Sequence, residues 1–300
     1  MSGKALVGID WVAQQVLKNL LMHIEPIAYL RKRLASRQND PLSIVGSYFD
    51  FQWQIYRDAI SGVTLSVNGA NVLEVGPGPI LANGIHFIAE GAASYTALDR
   101  FDLLRRDHEV KHAYREMIGR LPREQQERCR GLITEGDDRK LFNDRIQSVI
   151  GKVEEADRKL GTGRWDFLVS FDVLEHVDDL EATFRNFRKL LKPGGIMVHR
   201  VDVGAHNVAP DVHRLAHLAF SDRAWRAIAS KRAICNRFRP SEFRVAAETA
   251  GFETLSFEAT TRLTPEEVTG IRPRLSSKFA RCSLEDLAIL DFVWIARVRT

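Results

Sequence analysis

The chain predicts an α/β fold: a doubly wound, largely parallel sheet with helices on both faces. Three observations carry this. Short apolar runs of strand length alternate with longer helical patterns. Asn71-Val-Leu-Glu-Val-Gly-Pro-Gly-Pro79 joins one such run to a Gly-x-Gly turn and then a helix. Leu190-Leu-Lys-Pro-Gly-Gly-Ile-Met-Val198 places a helix stop directly before another apolar run.

Residues 1–68 read as an N-terminal helical extension. From 9 to 24, Val12, Val16, Leu17, Leu20, Leu21 and Ile24 share one helical stripe, with Lys18 and Asn19 opposite. That stripe must be buried on the core or on a second subunit, so a homodimer through the N-terminal helices stays open. Residues 41–62 add an aromatic helix with Tyr48, Phe49, Phe51, Trp53 and Tyr56. Packing on the sheet is one reading of these aromatics, and a lid over the substrate is the other. A core from 69 to 300 follows, with insertions at 102–143 and 202–240. Within it, Phe101 to Leu121 reads as a helix ended by Pro122, and strands are expected at 146–151, 166–171 and 195–201. A helix from Ser241 to Ala250 is closed by Gly251, and the apolar runs Phe252 to Phe257 and Leu287 to Val298 complete the chain.

The first glycine turn carries the chemistry. Val72, Leu73 and Val75 suit a strand buried on both faces, as a parallel sheet requires. Gly76 and Gly78 let the backbone turn sharply and approach a ligand. Asp99 ends the next apolar run and can accept hydrogen bonds from both hydroxyls of a ribose. It lies about twenty residues beyond the turn, the usual ribose-binding spacing. A dinucleotide fingerprint would need a third glycine where Leu81 stands, and Gly84 comes later. Glu74 puts a carboxylate before the turn, which repels a pyrophosphate and attracts a cationic ligand. These residues favour a positively charged nucleoside without phosphate.

At this point the chain resembles the class I S-adenosylmethionine-dependent methyltransferases of the small-molecule type. Leu73-Glu-Val-Gly-Pro-Gly78 is similar to their first motif, and Tyr95-Thr-Ala-Leu-Asp99 to the strand bearing the ribose carboxylate. Trp165-Asp-Phe-Leu-Val-Ser-Phe-Asp-Val-Leu-Glu-His-Val177 resembles the fourth strand and the turn after it. The Leu190–Val198 stretch resembles the fifth strand with its preceding turn. The resemblance implies a Rossmann-like seven-stranded sheet whose last strand is antiparallel, and S-adenosylmethionine as methyl donor. It also implies donor contacts from Glu74, Gly76, Pro77, Gly78, Asp99, Arg100, Phe171 and Asp172. Lys152 occupies the family's acidic adenine position, and Glu154 or Glu155 can substitute for it. Asp172 has an alternative role, capping the next helix.

The insertion at 202–240 starts at the carboxyl edge of the sheet and is expected to select the substrate. Asp211-Val-His-Arg-Leu-Ala-His-Leu218 reads as one helix, with His213 and His217 on a shared, exposed face. Their i,i+4 spacing fits a metal, but no Cys or HExxH glutamate accompanies them, so no metal is expected. A hydroxyl acceptor needs a base, and histidine suits this near neutral pH. His176 is the first candidate. His199, Asp202 and His206 form a second cluster, in which Asp202 orients a histidine or binds Mg²⁺ with a substrate diol.

Composition limits the alternatives. No apolar run approaches the roughly 18 residues of a membrane span, and the start lacks a signal-peptide pattern. Three scattered cysteines, Cys129, Cys235 and Cys282, read as thiols in a reducing compartment, so the cytoplasm is expected. The net charge of +4 is mild, and Arg31-Lys-Arg33 is a solvated face rather than a nucleic-acid site. No Asn/Asp-Pro-Pro-aromatic signature of base methylation occurs. The expected activity is O-methylation of a sugar or secondary-metabolite hydroxyl. The rival is an inactive S-adenosylmethionine-binding regulatory protein, a reading to which Lys152 lends weight.

Overall fold

The computed structural model describes residues 8–21, 24, 30, 34, 47–134, 140–206, 208–209, 211–229 and 235–300. The basic cluster 31–33 and the expected helix start at 41–46 lie outside these residues. The strands are β1 (Asn71–Val75), β2 (Ser94–Asp99), β3 (Ile146–Ile150), β4 (Trp165–Phe171), β5 (Leu191–Asp202), β6 (Phe252–Arg262) and β7 (Ile289–Val298). They form one seven-stranded sheet in the order β3-β2-β1-β4-β5-β7-β6. Strands β1 to β5 pair in parallel, and β7 runs antiparallel between β5 and β6. The expected fold class is the observed one.

Burial explains the strand sequences. Val72, Leu73, Glu74 and Val75 are all buried because helices cover both faces of β1. One face packs on α2 (Tyr48–Gly62), α3 (Ala82–Ala89) and α4 (His108–Arg120), through Phe49, Trp53, Tyr56, Phe87, Tyr95 and Tyr114. The other packs on α7 (Leu180–Leu190) and α9 (Pro240–Thr249), through Phe184, Phe187, Phe243, Phe292 and Trp294. The short helices α5 (Arg123–Arg128) and α6 (Asp157–Leu160) complete these layers.

Helix α4 begins at His108, not at Phe101. Asp107 caps it, accepting from the Val110 N–H at 3.1 Å. The residues before it are drawn over the glycine turn, where the Arg105 N–H donates to Pro79 O at 2.9 Å. Helix α3 lies unusually close to β2. A Cβ on Gly84 would stand 2.8 Å from the Tyr95 ring, so Gly84 supplies the close helix packing that the third fingerprint glycine supplies elsewhere. Gly84→Ala is expected to cost about 1–3 kcal/mol by overpacking, read as a lower denaturant midpoint. Strand β5 starts earlier than expected, since Leu191 pairs with Trp165 before a register shift to Phe167 and Ile196.

The N-terminal residues divide between two places. Helix α1 (Ile9–Leu21) packs through Trp11, Val12 and Val16 on α8 (Asp222–Ala229), within the 202–240 insertion. Asn19 Nδ2 donates to Ala227 O at 2.8 Å. Leu17, Leu20 and Leu21 stand exposed. Helix α2 instead joins the sheet core. Beyond β6, α10 (Pro265–Ile271), α11 (Ser277–Ala280) and α12 (Leu284–Ala288) enclose a satellite core around Phe279, into which Leu215 and Leu218 of the insertion pack. The insertion and α1 thus form one cap at the carboxyl edge of β5. Among the described residues, no helix is long and apolar enough to cross a membrane.

Candidate functional site

A cleft of about 270 Å³ opens at the carboxyl ends of β3, β2, β1 and β4. It includes the point where the strand order reverses between β1 and β4, where open α/β sheets take ligands. Gly76, Asp99, Arg100, Glu154, Asp172 and His176 all line it. Val75, Leu98, Phe101, Leu103, Val153 and Val173 give it an apolar floor and sides. Arg100 and Asp178 face each other at 3.7 Å on its rim.

The turn after β1 is built for close approach. Gly76 has φ +70° and Gly78 φ +75°, a region that favours glycine. A Cβ on Gly76 would overlap Val173 Cγ2 at 2.5 Å. The Gly76 N–H donates to Leu98 O at 2.8 Å, which pins the turn to β2. Pro77 and Gly78 continue this loop half-buried and are not among the lining residues. Asp99 Oδ1 accepts the Phe101 N–H at 3.0 Å, which orients the carboxylate at the strand tip. Glu154 lies half-buried on the single turn Val153–Glu155, with Lys152 exposed before it.

Glu74 does not line the cleft. It is almost fully buried, and its carboxylate accepts from Asn83 Nδ2 at 2.9 Å, from Tyr56 OH at 3.3 Å and from Tyr95 OH. Burial pushes the carboxyl up to about 6, against the pull of these three donors. Its place in the fold ties α2, α3 and β2 beneath the glycine turn. Phe171 is likewise buried behind the cleft, with Tyr48, Phe51 and Tyr56 at its edges and the Arg200 guanidinium 5.2 Å from its ring centre. The aromatic helix packs on the sheet core, as the first reading expected. Phe49, Trp53 and Tyr56 pack inward, while Tyr48 and Phe51 stand exposed beside Phe171.

Asp172 is held in the left-handed region at φ +54°. It does not cap the following helix. Asp179 does that, accepting from the Ala182 N–H at 2.8 Å. Asp172 instead pairs with Arg200, whose Nη2 also donates to Asp291 at 2.5 Å. Burial holds the Asp172 carboxyl above its usual value, and the pull of Arg200 offsets this only in part.

The candidate bases separate. His176 lies on the cleft wall, and its ring centre is 5.2 Å from that of His206. His206 Nε2 is 3.5 Å from Asp202 Oδ2. Burial works to raise the Asp202 carboxyl, but His206 and Arg214 outweigh it and hold the group at about 2. Both Asp202 oxygens accept from Arg214, at 2.8 and 3.0 Å. Among the described residues no three His, Cys, Asp or Glu are grouped to hold a metal. His199 is a correction. Strand alternation turns it to the α7 face, fully buried, stacked on Phe187 and bonded through Nδ1 to Ser170 Oγ at 2.7 Å. Burial drives its pKa down to about 3, and it takes no part in the cleft.

The paired histidines of the insertion are also corrected. Residues 211–218 form no α-helix, only a single turn at Ala216–Ala219. His213 and His217 are buried, because the satellite core and α8 close around them. The described cysteines are free thiols. Sequence reasoning missed Arg200, Arg214, Asp291 and Glu175. Their only signal was position, at or beside the carboxyl ends of β4 and β5 or across from them on β7.

A family model described as a methyltransferase domain matches residues 28–256. A highly reducing polyketide synthase, calA, of Penicillium decumbens is 50% identical over 48 residues, which are 16% of this chain and 2% of that protein. An S-adenosylmethionine-dependent methyltransferase of Mesorhizobium loti aligns with 81% of this chain and 97% of its own, at 14% identity and a TM-score of 0.44. The phosphoethanolamine N-methyltransferase 2 of Haemonchus contortus, solved with S-adenosyl-L-methionine, aligns with 82% of this chain and 52% of its own, at 16% identity and a TM-score of 0.46. With its family match covering most of its length and its motifs at the strand tips, this chain belongs to the class I S-adenosylmethionine-dependent methyltransferase family.

Proposed function

We propose that this chain methylates a small molecule with S-adenosylmethionine, at a hydroxyl oxygen of a sugar or secondary metabolite. One observation carries the reading: His176 lines the same cleft as Asp99, with His206 and Asp202 behind it. A ribose carboxylate and a candidate base thus share one wall-to-wall space. The cleft fits the donor chemically. Its glycine turn admits close approach, its walls are apolar, and its carboxylates suit a cationic nucleoside.

When bound, S-adenosylmethionine supplies an electrophilic methyl carbon on its sulfonium. Asp99 accepts the ribose hydroxyls, and Glu154 is the nearest acidic group for the adenine amine. Asp172, not Glu74, is the carboxylate left at the cleft for the cationic tail. His176 takes the acceptor's hydroxyl proton on an imidazole nitrogen. Alignment by these groups supplies much of the acceleration.

The test is transfer of a labelled methyl group across a panel of hydroxylated sugars and aromatic metabolites. Label appearing on an acceptor oxygen supports the reading. Strong S-adenosylhomocysteine binding with no transfer to any acceptor would favour a regulatory binding protein.

A further inference from the structure

Glu175 is fully buried on the single turn Leu174–His176 that follows β4. Three segments meet there. Its Oε1 accepts the backbone N–H of Asp202, at the end of β5, at 3.4 Å. Its main-chain carbonyl accepts the N–H of Asn236 from the cap. Asn236 Nδ2 donates to Leu174 O at 2.8 Å and to Val177 O at 3.2 Å, lacing cap and turn together around the same residue. The next residue in the chain is His176, and Asp202 faces His206.

The other carboxyl oxygen, Oε2, is buried with no hydrogen-bond partner. No cation pairs with Glu175 among the described residues. The titratable groups acting on it are the carboxylates of Asp172 and Asp202, the Tyr48 hydroxyl from α2 and the Cys235 thiol from the cap, while the backbone N–H groups of Glu175 and Asp202 pull the other way. Arg200, the nearby guanidinium, is engaged by Asp172 and Asp291. A bare ionised oxygen in such surroundings is strongly disfavoured. Burial, then Asp172, pushes the carboxyl well above the usual range.

We propose that Glu175 is a positioning residue held as a neutral carboxylic acid, keyed between the His176 turn, the end of β5 and the cap. In that state it sets His176 against His206 at the acceptor end of the cleft. Ionising it places a third negative charge beside Asp172 and Asp202, at the junction of the turn, β5 and the cap. The role deepens the proposed transfer reaction and rests on His176 as its base. The protonation state itself can be read without any acceptor.

The experiment compares the full chain with Glu175→Gln, an uncharged near-isostere, from about pH 5 to about pH 9. The infrared difference spectrum at neutral pH should show the carbonyl band of a protonated acid in the natural chain and not in the variant. The sign of the stability effect follows from linkage. An acid raised in the folded state contributes its full stability below the unfolded value near 4.5 and loses it as pH rises toward the folded value. Glu175→Gln cannot ionise, so its unfolding midpoint should overtake that of the natural chain as pH rises. With an acceptor in hand, kcat of the natural chain should fall as pH rises through the folded value of Glu175, and the variant should not show that fall. Absence of the protonated-acid band would overturn the proposal. So would a variant less stable than the natural chain at alkaline pH, or one that loses kcat at every pH while still binding S-adenosylhomocysteine. If no acceptor is methylated even by the natural chain, the proposed function fails, and the spectral and thermal results still decide the state of Glu175.

Discussion

Replacing Asp99 with asparagine is expected to weaken S-adenosylhomocysteine binding about a hundredfold. The carboxylate stands at the tip of β2, lines the cleft and is oriented by the Phe101 N–H. Asparagine keeps the shape and can keep that backbone contact through its oxygen. Its amide nitrogen presents donors where ribose hydroxyls also donate. Hydrogen bonds to a charged group contribute about 1.5–3 kcal/mol each, so a loss of about 3 kcal/mol, or two decades in Kd, follows. Isothermal calorimetry reads this directly. An unchanged affinity would place the ribose elsewhere and remove the reason for assigning this cleft to the donor.

Replacing His176 with glutamine should act on a different quantity. General-base catalysis contributes typically 10²–10⁴-fold, so kcat for a hydroxyl acceptor should fall by about that factor. Affinity for S-adenosylhomocysteine should change little, because the ribose carboxylate and glycine turn remain. Partial rescue by added imidazole would point to a missing base rather than a collapsed wall. If His176→Gln retains full kcat, proton removal belongs to His206 or is not needed, as for an acceptor atom already nucleophilic. His199→Gln makes the contrast. Its ring is fully buried against Phe187 and bonded to Ser170, out of reach of the cleft, so it should alter stability and leave the transfer step's base untouched.

The parts of this molecule that were legible in its sequence are local ones. A strand tip, a glycine turn and an acid about twenty residues later are contiguous patterns, and parallel pairing of β1 with β2 and β4 brings them to one edge. The antiparallel β7 and the helix from Pro240 to Thr249 fell close to their expected bounds for the same reason. What failed depended on distant partners. Glu74 looked like a ligand group because its donors are not adjacent to it. Tyr56 reaches it from 18 residues upstream, and Tyr95 from 21 downstream. His199 sat in the right segment, but the distant Phe187 and Ser170 enclose its ring and bury it fully. His213 and His217 read as surface residues because a cap assembled from α1, the insertion and residues beyond β6 cannot be read from their own spacing. Asp172 and Asp179 both precede the same helix. Only the positive φ at Asp172 and its pairing with Arg200 show why the later one caps it.

The most direct measurement is a calorimetric titration of the full chain with S-adenosylhomocysteine, with NADH titrated in parallel. One saturable site per chain for the first and no heat from the second is the predicted result. Silence toward S-adenosylhomocysteine together with saturable NADH binding would contradict a cleft built for a phosphate-free, cationic nucleoside.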